Sequence, residues 1–138
     1  NRTFLLEEFL ALEMEAGRIS SQKFTDEECT IHVHGHCHQK ALSDPGKTLQ
    51  VLGLPANYKV HYIPSGCCGM AGSFGYEKEH YDVSMDIGDL ILFPYIRSLG
   101  KEVLVAAGGT SCRHQILDGT GYNAKHPVSI LKEALLID

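Results

Sequence analysis

Two adjacent cysteines, Cys67 and Cys68, stand inside a glycine-rich segment that runs from Ser65 to Gly72. Neighbouring residues are too close together to form an unstrained disulfide with each other, and the glycines let the backbone approach another group closely. Two thiolates in such a loop are suitable ligands for a metal ion or an iron–sulfur cluster. Buried free cysteine is also common and inert, so the pair alone leaves a purely structural role open.

Three further cysteines, Cys29, Cys37 and Cys112, bring the total to five. An odd number of cysteines, with no signal-peptide pattern and no apolar stretch long enough to cross a bilayer, argues against a secreted disulfide scaffold. We therefore predict a cytoplasmic protein, in which free cysteines are more often metal-binding or catalytic than disulfide-bonded. Cys29 lies among acidic residues and is expected to have no role in a site.

Four histidines alternate along the chain around Cys37, at positions 32, 34, 36 and 38. In an extended strand they would share one face, and as metal ligands they would indicate zinc. We favour the interpretation that His32 and His34 form local hydrogen bonds in a strand. His36 and His38 would then lie beside the metal ligands and support them.

The composition predicts one domain with one ordinary hydrophobic core. The chain has 138 residues, 43% of them hydrophobic, and a net charge of −5, which gives no basic surface for nucleic acid. It begins at Asn1 rather than Met, and its first strong element is a helix without a visible partner. We therefore expect a segment of a longer polypeptide.

Hydrophobic periodicity predicts strands that alternate with helices. The expected strands are 30–34, 58–63 and 102–107, and the expected helices are 3–16, 47–52, 73–92 (with Tyr81, Met85 and Ile87 facing inward), 111–117 and 127–136. Pro94 should kink or restart the helix over 73–92. The predicted fold class is α/β, with a small, mostly parallel sheet flanked by helices.

The cysteines follow the predicted strands. Cys37 comes after the first strand, Cys67 and Cys68 after the second, and Cys112 after the third. Ligands of parallel sheets bind at the carboxyl ends of the strands, and helix N-termini in that place lower thiol pKa values. Three strand exits therefore bring four thiols to one edge of the sheet, which favours a binding site over chance placement.

These residues carry a family resemblance. The segments 36–38, 67–72 and 111–113 resemble the cysteine-rich CCG domain of heterodisulfide reductase, of lactate-utilisation proteins, and of the iron–sulfur subunits of glycolate oxidase and anaerobic glycerol-3-phosphate dehydrogenase. Segments 67–79 and 111–121 are similar to the C-terminal part of large FAD-linked oxidases of the D-lactate or D-2-hydroxyglutarate dehydrogenase type. The resemblance implies a CCG domain over residues 28–138, with residues 1–20 trailing from a preceding module.

The resemblance also implies a site. Cys37, Cys67, Cys68 and Cys112 match the ligands of an iron–sulfur cluster in that family, and Gln115 replaces a last cysteine. Four thiolates are enough for an ordinary [4Fe–4S] cluster. Four further residues are candidates for supporting the ligands, namely His36, His38, Arg113 and His114, and His114 is also a candidate for the missing ligand.

The function implied is electron transfer within a larger FAD-linked 2-hydroxy-acid oxidase or dehydrogenase. The expected partners are flavin and ferredoxin-like domains of the same polypeptide or complex, which could be peripheral to a membrane. This chain has no Gly-x-Gly-x-x-Gly segment, so FAD is expected to bind elsewhere in the parent protein and the chain alone is not expected to catalyse a reaction. A zinc-holding structural module and a thiol-redox domain remain alternatives.

Overall fold

A three-stranded, entirely parallel β-sheet forms the centre of the molecule. The computed structural model describes residues 3–136, and the sheet consists of β1 (Cys29–His34), β2 (Tyr58–Tyr62) and β3 (Leu104–Ala107) in the order β2-β1-β3. In register, Ile31 of β1 lies beside Val60 of β2 and Leu104 of β3. The predicted α/β class with a small parallel sheet is confirmed.

In the described part of the chain, seven helices surround this sheet. They are α1 (Leu6–Glu15), α2 (Cys37–Leu42), α3 (Pro45–Leu52), α4 (Tyr81–Asp89), α5 (Leu92–Arg97), α6 (Thr110–Thr120) and α7 (Pro127–Ala134), with short 3-10 turns at Ser21–Lys23, Phe74–Tyr76 and Lys78–His80. Asp44 caps α3 by accepting a hydrogen bond from the Gly46 amide at 2.8 Å. No helix within residues 3–136 has the length and apolar character needed to cross a membrane.

Side chains that alternate along the strands build two cores, one on each face of the sheet. Ile31, Val33 and Ala106 pack on one face with residues of α1, α3 and α7. Val105 and Ala107 pack on the opposite face with residues of α5 and α6. The second core also contains Cys68, Met70 and Cys112, so part of the predicted site lies against the hydrophobic interior.

Helix α1 packs on this domain through Ala11, which is completely buried beside α3. Leu10 and Met14 are partly buried against the same core, whereas Phe4 and Leu5 just before the helix, and Phe9 within it, are about half exposed. The division into a trailing segment at 1–20 and a domain at 28–138 stays a prediction, and residues 1, 2, 137 and 138 of those two ranges lie outside the described residues.

The prediction of one helix over residues 73–92 was wrong in its extent. Two 3-10 turns precede α4, and α5 begins anew at Leu92, where Pro94 stands in the first turn and needs no amide partner. Tyr81, expected to face inward, is 44% exposed. The buried positions of α4 are Ser84 and Gly88, because the ring of a neighbouring helix's Phe93 packs against Gly88.

Candidate metal centre

The three strand exits meet at one edge of the sheet. Because the strands are parallel, the carboxyl ends of β1, β2 and β3 point the same way. Cys37 is the first residue of α2, Cys67 and Cys68 lie in the loop after β2, and Cys112 is in the first turn of α6. Cys29 begins β1 and therefore lies at the opposite edge. None of the five cysteines forms a disulfide.

Cys68 and Cys112 form the buried part of this centre. Their sulfurs are 3.4 Å apart, and the residues are only 3% and 1% exposed. A hydrogen bond between the two thiols lowers the pKa of Cys68 and raises that of Cys112, with burial raising both. A negative charge on one of the two sulfurs disfavours ionisation of the other, so both ionise together only with a compensating positive charge. A bound metal ion provides such a charge.

Cys67 and Cys37 lie on the more open side. Cys67 is half-buried, and its sulfur accepts a hydrogen bond from the Gly69 amide at 3.3 Å. Cys37 is exposed. Partial burial raises the pKa of the Cys37 thiol, and the neighbouring thiols of Cys67 and Cys68 raise it further. All four predicted thiols are therefore close enough to influence one another electrostatically.

His34, the last residue of β1, joins the buried pair. One ring nitrogen of His34 and the sulfurs of Cys68 and Cys112 all lie within 4.8 Å of one another. The Nδ1 atom is 2.9 Å from the Ser65 hydroxyl, whereas Nε2 is buried without a hydrogen-bond partner among the described residues. The sequence interpretation gave His34 only a local role in the strand. Its place at a strand exit, like that of the cysteines, was the signal that could have identified it.

Hydrogen bonds from a lysine and the backbone conformation of a glycine fix the loop that carries Cys67 and Cys68. Lys40 Nζ donates hydrogen bonds to the carbonyl oxygens of Ser65 and Gly66, at 2.7 and 2.9 Å. Gly69 has a φ of +101°, and a Cβ at this position would overlap the Ser84 carbonyl oxygen. Only glycine fits there without strain, which explains the glycine directly after the cysteine pair.

A close approach at Gly109 also packs the exit of β3 against the exit of β1. A Cβ on Gly109 would overlap the ring of His36 and lie 3.0 Å from Cys112 Sγ. His36 caps α2, its Nδ1 accepting a hydrogen bond from the His38 amide at 3.3 Å. Partial burial lowers the pKa of His36. His38 is exposed and its ring lies near that of His36, at 5.4 Å between ring centres.

The residues after Cys112 point in different directions. Arg113 Nη1 donates to the carbonyl oxygens of Ala107 and Gly108, both at 2.9 Å, and so caps the end of β3. His114 is exposed and hydrogen-bonds Tyr76 at 2.8 Å. Because His114 is two residues beyond Cys112 on a helix, it lies on a different face and is outside the His34, Cys68 and Cys112 group.

Gln115 lies one turn beyond Cys112, on the same face of α6. It is 2% exposed, and its side-chain amide donates to the carbonyl and hydroxyl oxygens of Ser84. The position at which the family resemblance implies a last cysteine therefore holds a polar contact between α6 and α4.

Known proteins match most of this chain. One subunit of the anaerobic glycerol-3-phosphate dehydrogenase of Escherichia coli (strain K12) is 33% identical over 102 residues, which are 74% of this chain and 25% of that protein. D-2-hydroxyglutarate dehydrogenase of the same strain is 32% identical over 103 residues, 73% of this chain and 10% of that protein. The enzyme of that name from Pantoea ananatis (strain AJ13355) is 35% identical over 105 residues, 75% of this chain and 10% of the enzyme.

The chain therefore spans a quarter or a tenth of the length of these relatives. It is homologous to a segment of dehydrogenase polypeptides, which supports the relation to larger dehydrogenases that the sequence predicted. No family model matches the chain, and no solved structure matches it.

Proposed function

We propose that this chain is an electron-transfer module that holds a [4Fe–4S] cluster through Cys37, Cys67, Cys68 and Cys112. The observation that carries the proposal is that four thiols follow three strand exits at one end of the sheet, and that two of them, those of Cys68 and Cys112, are buried beside His34. Homology to segments of two different dehydrogenases is consistent with a redox role.

The residues present fit such a group. Soft thiolates are the preferred ligands of iron–sulfur clusters, and one ring nitrogen of the buried His34 lies within 4.8 Å of the sulfurs of Cys68 and Cys112. When bound, the cluster supplies one-electron acceptance and donation. The Gly69 amide donates a hydrogen bond to Cys67 Sγ. The burial of Cys68 and Cys112 limits the access of water, which with such hydrogen bonds tunes the reduction potential.

In the proposed parent protein, a flavin domain oxidises a 2-hydroxy acid and ferredoxin-like domains share the electron path. The support is that two relatives are named as D-2-hydroxyglutarate dehydrogenases and another as a subunit of anaerobic glycerol-3-phosphate dehydrogenase. FAD would bind outside this chain. We place the module among CCG domains in the cytoplasm, with the parent complex able to associate peripherally with a membrane.

A zinc-holding module is the second candidate, favoured by one observation. The buried donor group consists of one histidine and two cysteines, a combination that structural zinc sites use with one further thiolate. Cys67 is adjacent in sequence and could supply that thiolate. Zinc would cross-link three strand exits and have no redox role.

Metal analysis of the intact protein, purified without oxygen, separates the candidates. Iron with acid-labile sulfide, and a brown colour bleached by dithionite, supports the cluster. Zinc without sulfide contradicts it in favour of the second candidate. A metal-free protein with a rapidly alkylated thiol contradicts both and leaves the thiol-redox interpretation.

Cysteine variants then test the ligand set. Cys67→Ser, Cys68→Ser or Cys112→Ser should abolish the visible absorbance of the reconstituted cluster, because serine oxygen is a poor ligand for soft iron centres. Cys29→Ser is the matched control, since Cys29 lies at the opposite edge of the sheet, and it should retain the full absorbance. Equal loss in the control would show that the proposed ligand set is wrong.

A further inference from the structure

His34 is a buried polar residue whose hydrogen bonding is incomplete. Its side chain is 1% exposed, in the strand that lies at the centre of the sheet. Ser65, also buried, lies 2.9 Å from Nδ1, and Nε2 has no hydrogen-bond partner within residues 3–136. Buried polar atoms without partners are rare and costly, so this nitrogen, on a ring that adds to the effect of Cys112 in lowering the pKa of the Cys68 thiol, needs an explanation.

The positions of the neighbouring sulfurs supply one. A ring nitrogen of His34 and the sulfurs of Cys68 and Cys112 lie within 4.8 Å of one another, and the two sulfurs are 3.4 Å apart. Ligands around one tetrahedral metal atom are separated by roughly 3.5–4 Å, given metal–sulfur bonds of about 2.3 Å and metal–nitrogen bonds of about 2.0 Å. The three donors therefore have almost the spacing of ligands on a single metal ion before any metal is bound. The protein ligands of a [4Fe–4S] cluster bind separate iron atoms, so the same donors would move apart to hold a cluster.

We infer that His34 is a direct ligand of the metal centre, through Nε2, beside Cys68 and Cys112. The inference deepens the proposed function and rests on a metal centre at this place. Ser65 is the positioning residue: its hydroxyl lies 2.9 Å from Nδ1. In the proposed tautomer it accepts a hydrogen bond from Nδ1–H, which leaves the lone pair on Nε2 and fixes the ring orientation. Lys40 in turn holds the Ser65 carbonyl at 2.7 Å.

This ligand has two consequences for an iron–sulfur cluster. A neutral imidazole in place of an anionic thiolate raises the reduction potential, as in clusters with mixed histidine and cysteine ligation. With His34 bound to one iron atom, a four-iron cluster needs only three of the four thiolates. Cys37 is the exposed one and is the thiolate that we expect to be replaceable.

Cobalt binding tests the inference without requiring a cluster. Co²⁺ is added without oxygen to the intact, reduced, metal-free protein, and its visible d–d and thiolate charge-transfer bands are recorded. We expect His34→Gln to shift the d–d bands and to weaken Co²⁺ binding, and Ser65→Ala to weaken it by about 10- to 100-fold. His32→Gln is the control. His32 is on the same strand as His34, but its ring hydrogen-bonds Tyr95 at 3.0 Å and it lies outside the donor group. Identical spectra and affinities for wild type and His34→Gln would overturn the inference.

A second measurement uses the wild-type protein and does not depend on the folding of a variant. Protein labelled with ¹⁵N-histidine is reduced, and the hyperfine spectrum of its paramagnetic cluster is compared with that of unlabelled protein. A directly bound nitrogen should give an isotope-dependent coupling, and His34→Cys should remove it and move the reduction potential to a more negative value. A cluster signal without nitrogen coupling would contradict the inference while leaving the proposed cluster intact. Co²⁺ binding that depends on His34, in a protein that is purified without iron or sulfide, would support the inference and contradict the proposed cluster.

Discussion

The side-chain amide of Gln115 donates two hydrogen bonds to Ser84, to its carbonyl oxygen at 3.0 Å and to its hydroxyl oxygen at 2.9 Å. Ser84 Oγ in turn lies 3.9 Å from Met70 Sδ, in the loop that follows the cysteine pair. This buried chain of contacts connects α6, α4 and the Cys67–Cys68 loop. Gln115, which stands where the family resemblance implies a last cysteine, therefore supports the loop that carries Cys67 and Cys68.

Replacing Gln115 with leucine should lower the free energy of unfolding by about 1–3 kcal/mol, because it removes two buried hydrogen bonds and leaves the Ser84 oxygens without their donor. Urea titration monitored by circular dichroism measures the change. Gln22→Leu is the matched control, since Gln22 is exposed, and its effect should stay within about 0.5 kcal/mol. Similar losses in both variants would contradict a special role for the contact with Ser84.

Gly69 and Gly66 offer a matched pair on either side of the cysteines. Gly69→Ala should cost about 1–3 kcal/mol from the left-handed backbone alone, and more because the new Cβ overlaps the Ser84 carbonyl oxygen. A Cβ on Gly66 would have no heavy atom within 4 Å, so Gly66→Ala should be close to neutral. Thermal unfolding and metal content of both variants measure the difference, and a neutral Gly69→Ala would show that the loop adjusts freely.

The sequence predicted the architecture of the site because alternation and strand exits are local patterns. The apolar residues of β1 and β3 indicated a buried sheet, and the cysteines directly after the strands indicated a shared edge. Parallel pairing then placed Cys37, Cys68 and Cys112 at the same end, since parallel strands have all their carboxyl ends on one side.

The roles of individual histidines were harder to predict. The alternation of His32, His34, His36 and His38 assumed one continuous strand, but β1 ends at His34 and α2 begins at Cys37. Because strand geometry changes to helix geometry between them, the four rings do not share one face, and only His34 among these four is fully buried. Likewise, Tyr81 faces solvent because α4 packs through its small residues Ser84 and Gly88, which a search for large apolar residues does not find.

Tyr58, in the strand at one side of the sheet, should make the protein sensitive to alkaline pH. Burial raises the pKa of its phenol, and the negative charges of Cys29, Glu27 and Glu133 raise it further. The unfolded chain therefore loses this proton first as the pH rises above about 10. The stability that the neutral phenol contributes is fully present below that value and is lost as the pH rises through the folded-state pKa.

Tyr58→Phe should accordingly reduce the loss of stability between about pH 9 and about pH 11. Urea-unfolding free energies of the variant and the wild type, measured across this interval, test the expectation. Tyr81→Phe serves as the control, because Tyr81 is exposed and its replacement should leave the alkaline slope unchanged. The same slope in wild type and Tyr58→Phe would mean that the phenol ionises without a penalty from burial.

The proposed electron-transfer role predicts different effects on the two half-reactions of the intact enzyme. Oxidation of a 2-hydroxy acid needs a flavin and a positioned base, and the proposal places both outside this chain. Replacing Cys67 and Cys68 with serine should therefore leave the reduction of the flavin by substrate at its wild-type rate. Reoxidation of the flavin by the downstream acceptor should fall to the rate of a protein that lacks the cluster.

Stopped-flow absorbance of the flavin, with substrate and acceptor added in separate experiments, measures both rates. Cys29→Ser provides the control and should match the wild type in both half-reactions, because Cys29 lies away from the metal centre at the other edge of the sheet. Since Cys67 is half-buried and Cys68 is buried in the core, circular dichroism must first show that the double variant is folded. If flavin reduction collapsed in a folded variant, these cysteines would act on the substrate and would not relay electrons from the flavin.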